Sequence, residues 1–128
     1  MALRCLLVDD SAGFLEAARV LLERQGIEIV GTASTGAEAL RLAGELQPDV
    51  VLVDIDLGGE SGFELARDLT RETSLRPSSV ILISTHSESD FADLIAESPA
   101  VGFLSKSNLS ADAIHELLGG VPGEGVRT

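Results

Sequence analysis

The chain has no tryptophan and no tyrosine, and only four phenylalanines among its 128 residues. Platforms that stack nucleobases are built from aromatic side chains, so this composition argues against such a surface. Basic residues are also scarce. Nine Lys and Arg stand against 21 Asp and Glu, for a formal net charge of −12. The nine form no stripe, and the net charge repels phosphate backbones, so no nucleic acid is expected as a partner. A single cysteine, Cys5, excludes an internal disulfide. It lies in an apolar run and reads as a small core residue. No apolar run approaches the roughly 20 residues of a membrane span. The short apolar stretch at the N-terminus meets Asp9-Asp10 at once, unlike a signal peptide. No membrane contact is expected, and the lack of targeting signals and disulfides fits the cytoplasm.

What is present is apolar residues in a regular arrangement. Hydrophobic content is 45%, too high for a disordered chain, and the length suits one domain. Strand and helix patterns alternate. A strand near residues 3–8 precedes a helix near 12–25, with Phe14, Leu15, Ala18, Leu21 and Leu22 on one face and Gly26 as its stop. Residues 27–33 read as a half-exposed edge strand, because Glu28 interrupts the apolar run. Thr35-Gly36-Ala37-Glu38 and Ser61-Gly62-Phe63-Glu64 have capping-box spacing, and Ser87-Glu88-Ser89-Asp90 resembles it. Pro48 stops the second helix. Ser110 caps a last helix with Ile114, Leu117 and Leu118 inward. Val50–Val53 and Val80–Ile83 are continuous runs of the kind buried on both faces in a parallel sheet. Five βα units in one small domain predict a doubly wound α/β sandwich of the flavodoxin-like (βα)5 type, with a parallel five-stranded sheet in order 2-1-3-4-5. Ligands of such sheets sit beyond the carboxyl ends of the strands, where the order reverses.

Four apolar runs end on polar residues. Val8 is followed by Asp9-Asp10, Val53 by Asp54, Ile83 by Ser84, and Leu104 by Ser105-Lys106. Neighbouring parallel strands would bring three carboxylates, a hydroxyl and an ammonium to one sheet edge. Clustered carboxylates repel each other, so such a group usually holds a divalent cation. A carboxylate beside a cation and a lysine is a place to receive a phosphoryl group.

The chain resembles the receiver domain of bacterial two-component response regulators. The resemblance is carried by Asp9-Asp10, by Asp54-Ile55-Asp56-Leu57 followed by Gly62, by Ser84-Thr85-His86, and by Gly102-Phe103-Leu104-Ser105-Lys106, in that order and each at a strand end. It implies that residues 1–120 are the receiver domain and 121–128 a flexible tail. It implies that Asp54 is the phosphoacceptor. Asp9, Asp10, Asp54 and the backbone carbonyl of Asp56 would hold Mg²⁺. Ser84 and Lys106 would contact phosphoryl oxygens, and Phe103 would be the aromatic switch that moves inward with Ser84. The chain would not be an enzyme beyond assisting its own phosphorylation and dephosphorylation. Its partners would be a sensor histidine kinase or phosphotransfer protein, and a downstream protein that reads the last two helices and the fifth strand; homodimerisation is left open.

Two rival readings use the same residues. Asp54-x-Asp56 also matches the motif of haloacid-dehalogenase-type phosphatases, although those enzymes carry it on their first strand rather than the third. A phosphorylation-independent pseudo-receiver would keep the fold and bind partners only. The chain departs from the family pattern at Gly58, where proline is common and where Gly58-Gly59 suggests a more flexible loop. It departs again at Thr85, often a smaller residue, and at Ser107, often a proline.

Overall fold

The computed structural model describes residues 3–72, 79–86 and 88–118. The expected tail and Ser87, the first residue of the third capping sequence, lie outside these residues. The elements run β1 (Arg4–Val8), α1 (Ala12–Arg24), β2 (Glu28–Ala33), α2 (Gly36–Leu46), β3 (Val50–Asp54), β4 (Asp56–Leu57), β5 (Glu60–Ser61), α3 (Gly62–Glu72), β6 (Val80–Ser84), α4 (Ala92–Glu97), β7 (Gly102–Ser105) and α5 (Ala111–Leu117). Single 3-10 turns at Glu88–Phe91 and Lys106–Asn108 precede α4 and α5. The main sheet has the order β2-β1-β3-β6-β7 with every pairing parallel. Apart from the short β4–β5 hairpin, this is the 2-1-3-4-5 order predicted for a flavodoxin-like fold.

The sheet is covered on both faces because successive residues of its central strands point in opposite directions. Leu6, Val8, Val51, Val53 and Leu82 face α2 and α3, where Ala39, Ala43, Ala66 and Leu69 meet them. Cys5, Leu7, Val50, Leu52, Ile81 and Ile83 face α1 and α5, where Ala18, Leu22 and Ile114 meet them. All five residues of β3 and all five of β6 are buried. Cys5 is fully buried, and that burial pushes its thiol up to about 12, which leaves it inert.

Local signals explain the helix ends. Ser11 caps α1 through its Oγ, which accepts from Phe14 N at 3.2 Å. Gly26, at φ +93°, closes the helix, with its N–H donating to the Glu23 carbonyl and the Ile27 N–H to the Leu22 carbonyl. That pattern needs a left-handed residue, hence glycine. Thr35 Oγ1 and Ser61 Oγ accept from Glu38 N and Glu64 N, as the capping spacing predicts. In the first box the Glu38 carboxylate returns to Ser34 N rather than to Thr35 N. Gln47 takes the left-handed conformation before Pro48, which disfavours helical backbone at the residue it follows.

Two expectations change. Leu21 does not face the core: it is 38% exposed beside Val20, and Ala18 and Leu22 alone are buried in α1. The broad apolar face of α1 exceeds what the sheet can cover. The Gly58-Gly59 segment has a defined turn conformation. With φ of +62° and +104° the two form the two-residue turn of the β4–β5 hairpin, closed by the Leu57–Glu60 pair. Proline, fixed near φ −65°, could not occupy Gly58.

Candidate functional site

Strand register builds the site. Val8 pairs with Val53 across β1–β3, so the next residues, Asp9 and Asp54, leave the sheet side by side. Ser84 pairs with Ser105 across β6–β7, which brings Lys106 to the same edge. The bond between Lys106 and Ser107 is trans.

Asp9, Asp10 and Asp54 each offer a carboxylate oxygen, and these oxygens lie within 4.8 Å of one another. Asp9 is fully buried, Asp54 is 6% exposed, and Asp10 is exposed. Lys106 Nζ stands 2.5 Å from Asp9 Oδ2 and 3.3 Å from Asp54 Oδ2. Asp9 Oδ1 accepts from Ser11 N at 2.8 Å, which holds the chain between β1 and α1. Asp9 Oδ2 is buried and has no aligned hydrogen-bond donor, although the ammonium is in contact with it. The ammonium is thus the positive charge that this oxygen meets.

Burial raises Asp54 from 3.8 to about 6. The Asp56 N–H, at 3.2 Å from Oδ1, opposes that rise, Asp9 adds to it, and Lys106 opposes it. Burial also works against the Lys106 charge, but Asp9 and then Asp54 outweigh it and hold the ammonium above its ordinary value. The site therefore keeps a protonated lysine against an Asp54 carboxyl that is costly to ionise.

The remaining predicted residues fall around this cluster. Asp56 is exposed, and its backbone N–H donates to Asp54 Oδ1, while the three clustered carboxylates are those of Asp9, Asp10 and Asp54. Ser84 is buried, and its Oγ accepts from His86 N at 3.0 Å. Thr85 and His86 are exposed. The His86 ring lies edge-on to Phe91 at 5.8 Å between centroids. Phe103 is 9% exposed and belongs to the core cluster on the α2–α3 face, so its inward position is the one observed. Gly62 is required where it stands. A Cβ there would lie 2.1 Å from the Asp54 carbonyl oxygen, and the Gly62 N–H donates to the Ile55 carbonyl at 2.8 Å.

Sequence reasoning missed two participants. Phe14 was assigned to the helix core, yet its ring centroid lies 4.3 Å from Lys106 Nζ. No sequence signal separates a phenylalanine under a cation from one in a core. Glu60 closes the hairpin onto α2, where its Oε1 accepts from Gly36 N at 2.7 Å. The glycine pair, a strong hairpin signal, could have located that turn.

Oxygen donors of this kind, from three carboxylates and within 4.8 Å of one another, suit a hard cation such as Mg²⁺. Among the described residues no helix is long and apolar enough to cross a membrane. The family described as response regulator receiver domain matches residues 5–118. The transcriptional regulatory protein LiaR of Bacillus subtilis is 32% identical over 123 residues, which cover 95% of this chain and 57% of that protein. The chain thus spans about half the length of such curated relatives. A two-component response regulator of the LuxR family from Aurantimonas superposes with a TM-score of 0.81 at 32% identity, covering 94% of this chain and 87% of that one. A response regulator from Burkholderia pseudomallei, solved with a phosphorylated aspartic acid, a calcium ion and citrate, gives 0.74 at 26% identity, with 90% and 65% covered. By the extent of the family match and the arrangement of its strand ends, the chain belongs to the response regulator receiver domains of two-component signalling.

Proposed function

We propose that this receiver domain accepts a phosphoryl group on Asp54 in a Mg²⁺-dependent reaction and signals the change to a protein partner. The observation that carries this reading is the Lys106 ammonium between buried Asp9 and Asp54 at adjacent strand ends. The Asp54 carboxylate is desolvated, so its lone pair is poorly stabilised by water and available for attack on phosphorus. The donor is a phosphohistidine of a sensor kinase or phosphotransfer protein. A P–O bond to Asp54 forms as the P–N bond breaks, and the electron pair leaves with the imidazole. Asp9, Asp10, Asp54 and the Asp56 carbonyl would hold Mg²⁺, which neutralises charge on the phosphoryl oxygens when bound. Lys106 supplies a second positive charge to those oxygens. The same groups would assist hydrolysis of the acyl phosphate.

Ser84 and Phe103 are the proposed switch. The Ser84 hydroxyl now holds the turn to His86. Rotation of Ser84 to donate its O–H to a phosphoryl oxygen would draw the Oγ away from His86 N and loosen that turn, and with it the His86–Phe91 contact next to α4. The changed surface is that of α4, β7 and α5, which a downstream protein would read. We take residues 1–120 as the receiver unit, 121–128 as a tail, and the cytoplasm as its compartment. The test is intact-mass analysis after incubation with acetyl phosphate. A single base-labile phosphoryl adduct should form with Mg²⁺ and be lost on chelation or in Asp54→Asn. Equal labelling of that variant would refute the assignment of Asp54.

A further inference from the structure

The β4–β5 hairpin brings the backbone of Gly58 against one of the three clustered acids. A Cβ built on Gly58 would lie 2.9 Å from Asp10 Oδ2, and its next neighbours, at 3.6 and 3.7 Å, belong to the same side chain. No real Cβ tolerates 2.9 Å, so either the hairpin or the Asp10 carboxylate would have to move. The hairpin is held at several points. Asp56 pairs with Ser61 and Leu57 with Glu60. Glu60 Oε1 binds the first N–H of α2. Gly62 is seated on the Asp54 carbonyl with no room for displacement toward the sheet. Asp10, by contrast, is exposed, and the atom nearest the added Cβ is the far end of its side chain. The carboxylate gives way.

We infer that Gly58 is a positioning residue for the cation site: its missing side chain leaves Asp10 room to face Asp9 and Asp54, and a Cβ on this hairpin backbone displaces the Asp10 carboxylate from that place. The inference rests on the reading of these three acids as a Mg²⁺ site. Its consequence is specific to one ligand. Asp9 and Asp54 are fixed by burial and by their strand ends, so a substitution at Gly58 weakens the cation site without dismantling it. Loss of support for a metal ligand costs affinity by about tenfold or more.

Gly59 supplies the control. It has a left-handed backbone of its own, at φ +104°, but a Cβ there meets nothing within 4 Å. Gly59→Ala therefore strains the same turn and leaves Asp10 alone. The experiment is calorimetric titration of Mg²⁺ into the wild type, Gly58→Ala and Gly59→Ala. Gly58→Asn accompanies them, because asparagine tolerates the left-handed region and carries the same Cβ if the alanine variant does not fold. The expected result is a wild-type Kd for Gly59→Ala and a Kd raised about tenfold for both Gly58 variants. A wild-type Kd in a folded Gly58 variant overturns the inference. Equal weakening in Gly59→Ala also overturns it, because the cause would then be turn strain and not Asp10. No binding by the wild type overturns the Mg²⁺ reading itself, a result distinct from either.

Discussion

Replacing Lys106 with methionine keeps an apolar stem against Phe14 and removes the ammonium. Two carboxylates then lose their cation: Asp9, with its side chain 1% exposed, and Asp54, at 9%. Removing one partner of a buried ion pair costs about 3–5 kcal/mol. Protonation limits the share that Asp54 can contribute. Its rise from 3.8 to about 6 already represents about 3 kcal/mol of unfavourable ionisation at neutral pH. A carboxyl that stays protonated at pH 7 forgoes about 4 kcal/mol relative to the unfolded chain, so Asp54 can add only about 1 kcal/mol more. The rest of the loss falls on Asp9, whose Oδ2 would have no contact with positive charge. The pH dependence follows from the direction of the shift. A raised carboxyl pKa means that the native state keeps its proton longer than the unfolded chain. That contribution is most favourable below about pH 4 and is lost as pH rises through about 6 in the metal-free wild type. In Lys106→Met the fall continues to higher pH, so the deficit against wild type is small in acid and largest above pH 7. Urea melts at pH 5 and pH 7.5, in chelator and in Mg²⁺, measure it. The expected deficit is about 3–5 kcal/mol at the higher pH in chelator. Mg²⁺ should recover more stability in the variant than it adds to the wild type, because no ammonium competes for Asp9. Equal stability of the two proteins in chelator at pH 7.5, or a deficit that does not change with pH, would refute the reasoning.

Mg²⁺ should stabilise the wild type by about 2.7 kcal/mol at a hundredfold excess over Kd, and Asp10→Asn should lose most of that gain. In chelator the same variant should melt no lower than wild type, since one of three mutually repelling charges is gone; an undiminished Mg²⁺ response in thermal melts would count against Asp10 as a ligand. Gly62→Ala should cost about 3 kcal/mol, because its Cβ would overlap the Asp54 carbonyl at 2.1 Å and backbone must shift. A wild-type urea midpoint for that variant would show the contact to be relaxed in solution.

The amino-acid sequence alone determined the order of elements and the chemical groups at the strand ends. Runs such as Val50–Val53 and Val80–Ile83 are apolar throughout, and only a strand buried on both faces tolerates that pattern, so they read as central strands. Thr35, Ser61 and Ser110 were legible as caps because capping is a contact between residues three apart. The three acids and the lysine were legible as site candidates because each follows an apolar strand. Their separations were not. They depend on strand register, which pairs Val8 with Val53 and Ser84 with Ser105 across large gaps in the chain. Register decided that Lys106 reaches both Asp9 and Asp54, and helix packing decided that Leu21 is left outside the core. Contacts of Phe14 with Lys106, Glu60 with Gly36 and Gly58 with Asp10 join separate elements. A one-dimensional pattern carries periodicity and local capping, whereas these contacts exist only once the sheet has aligned its strand ends and packed the helices and the hairpin around them.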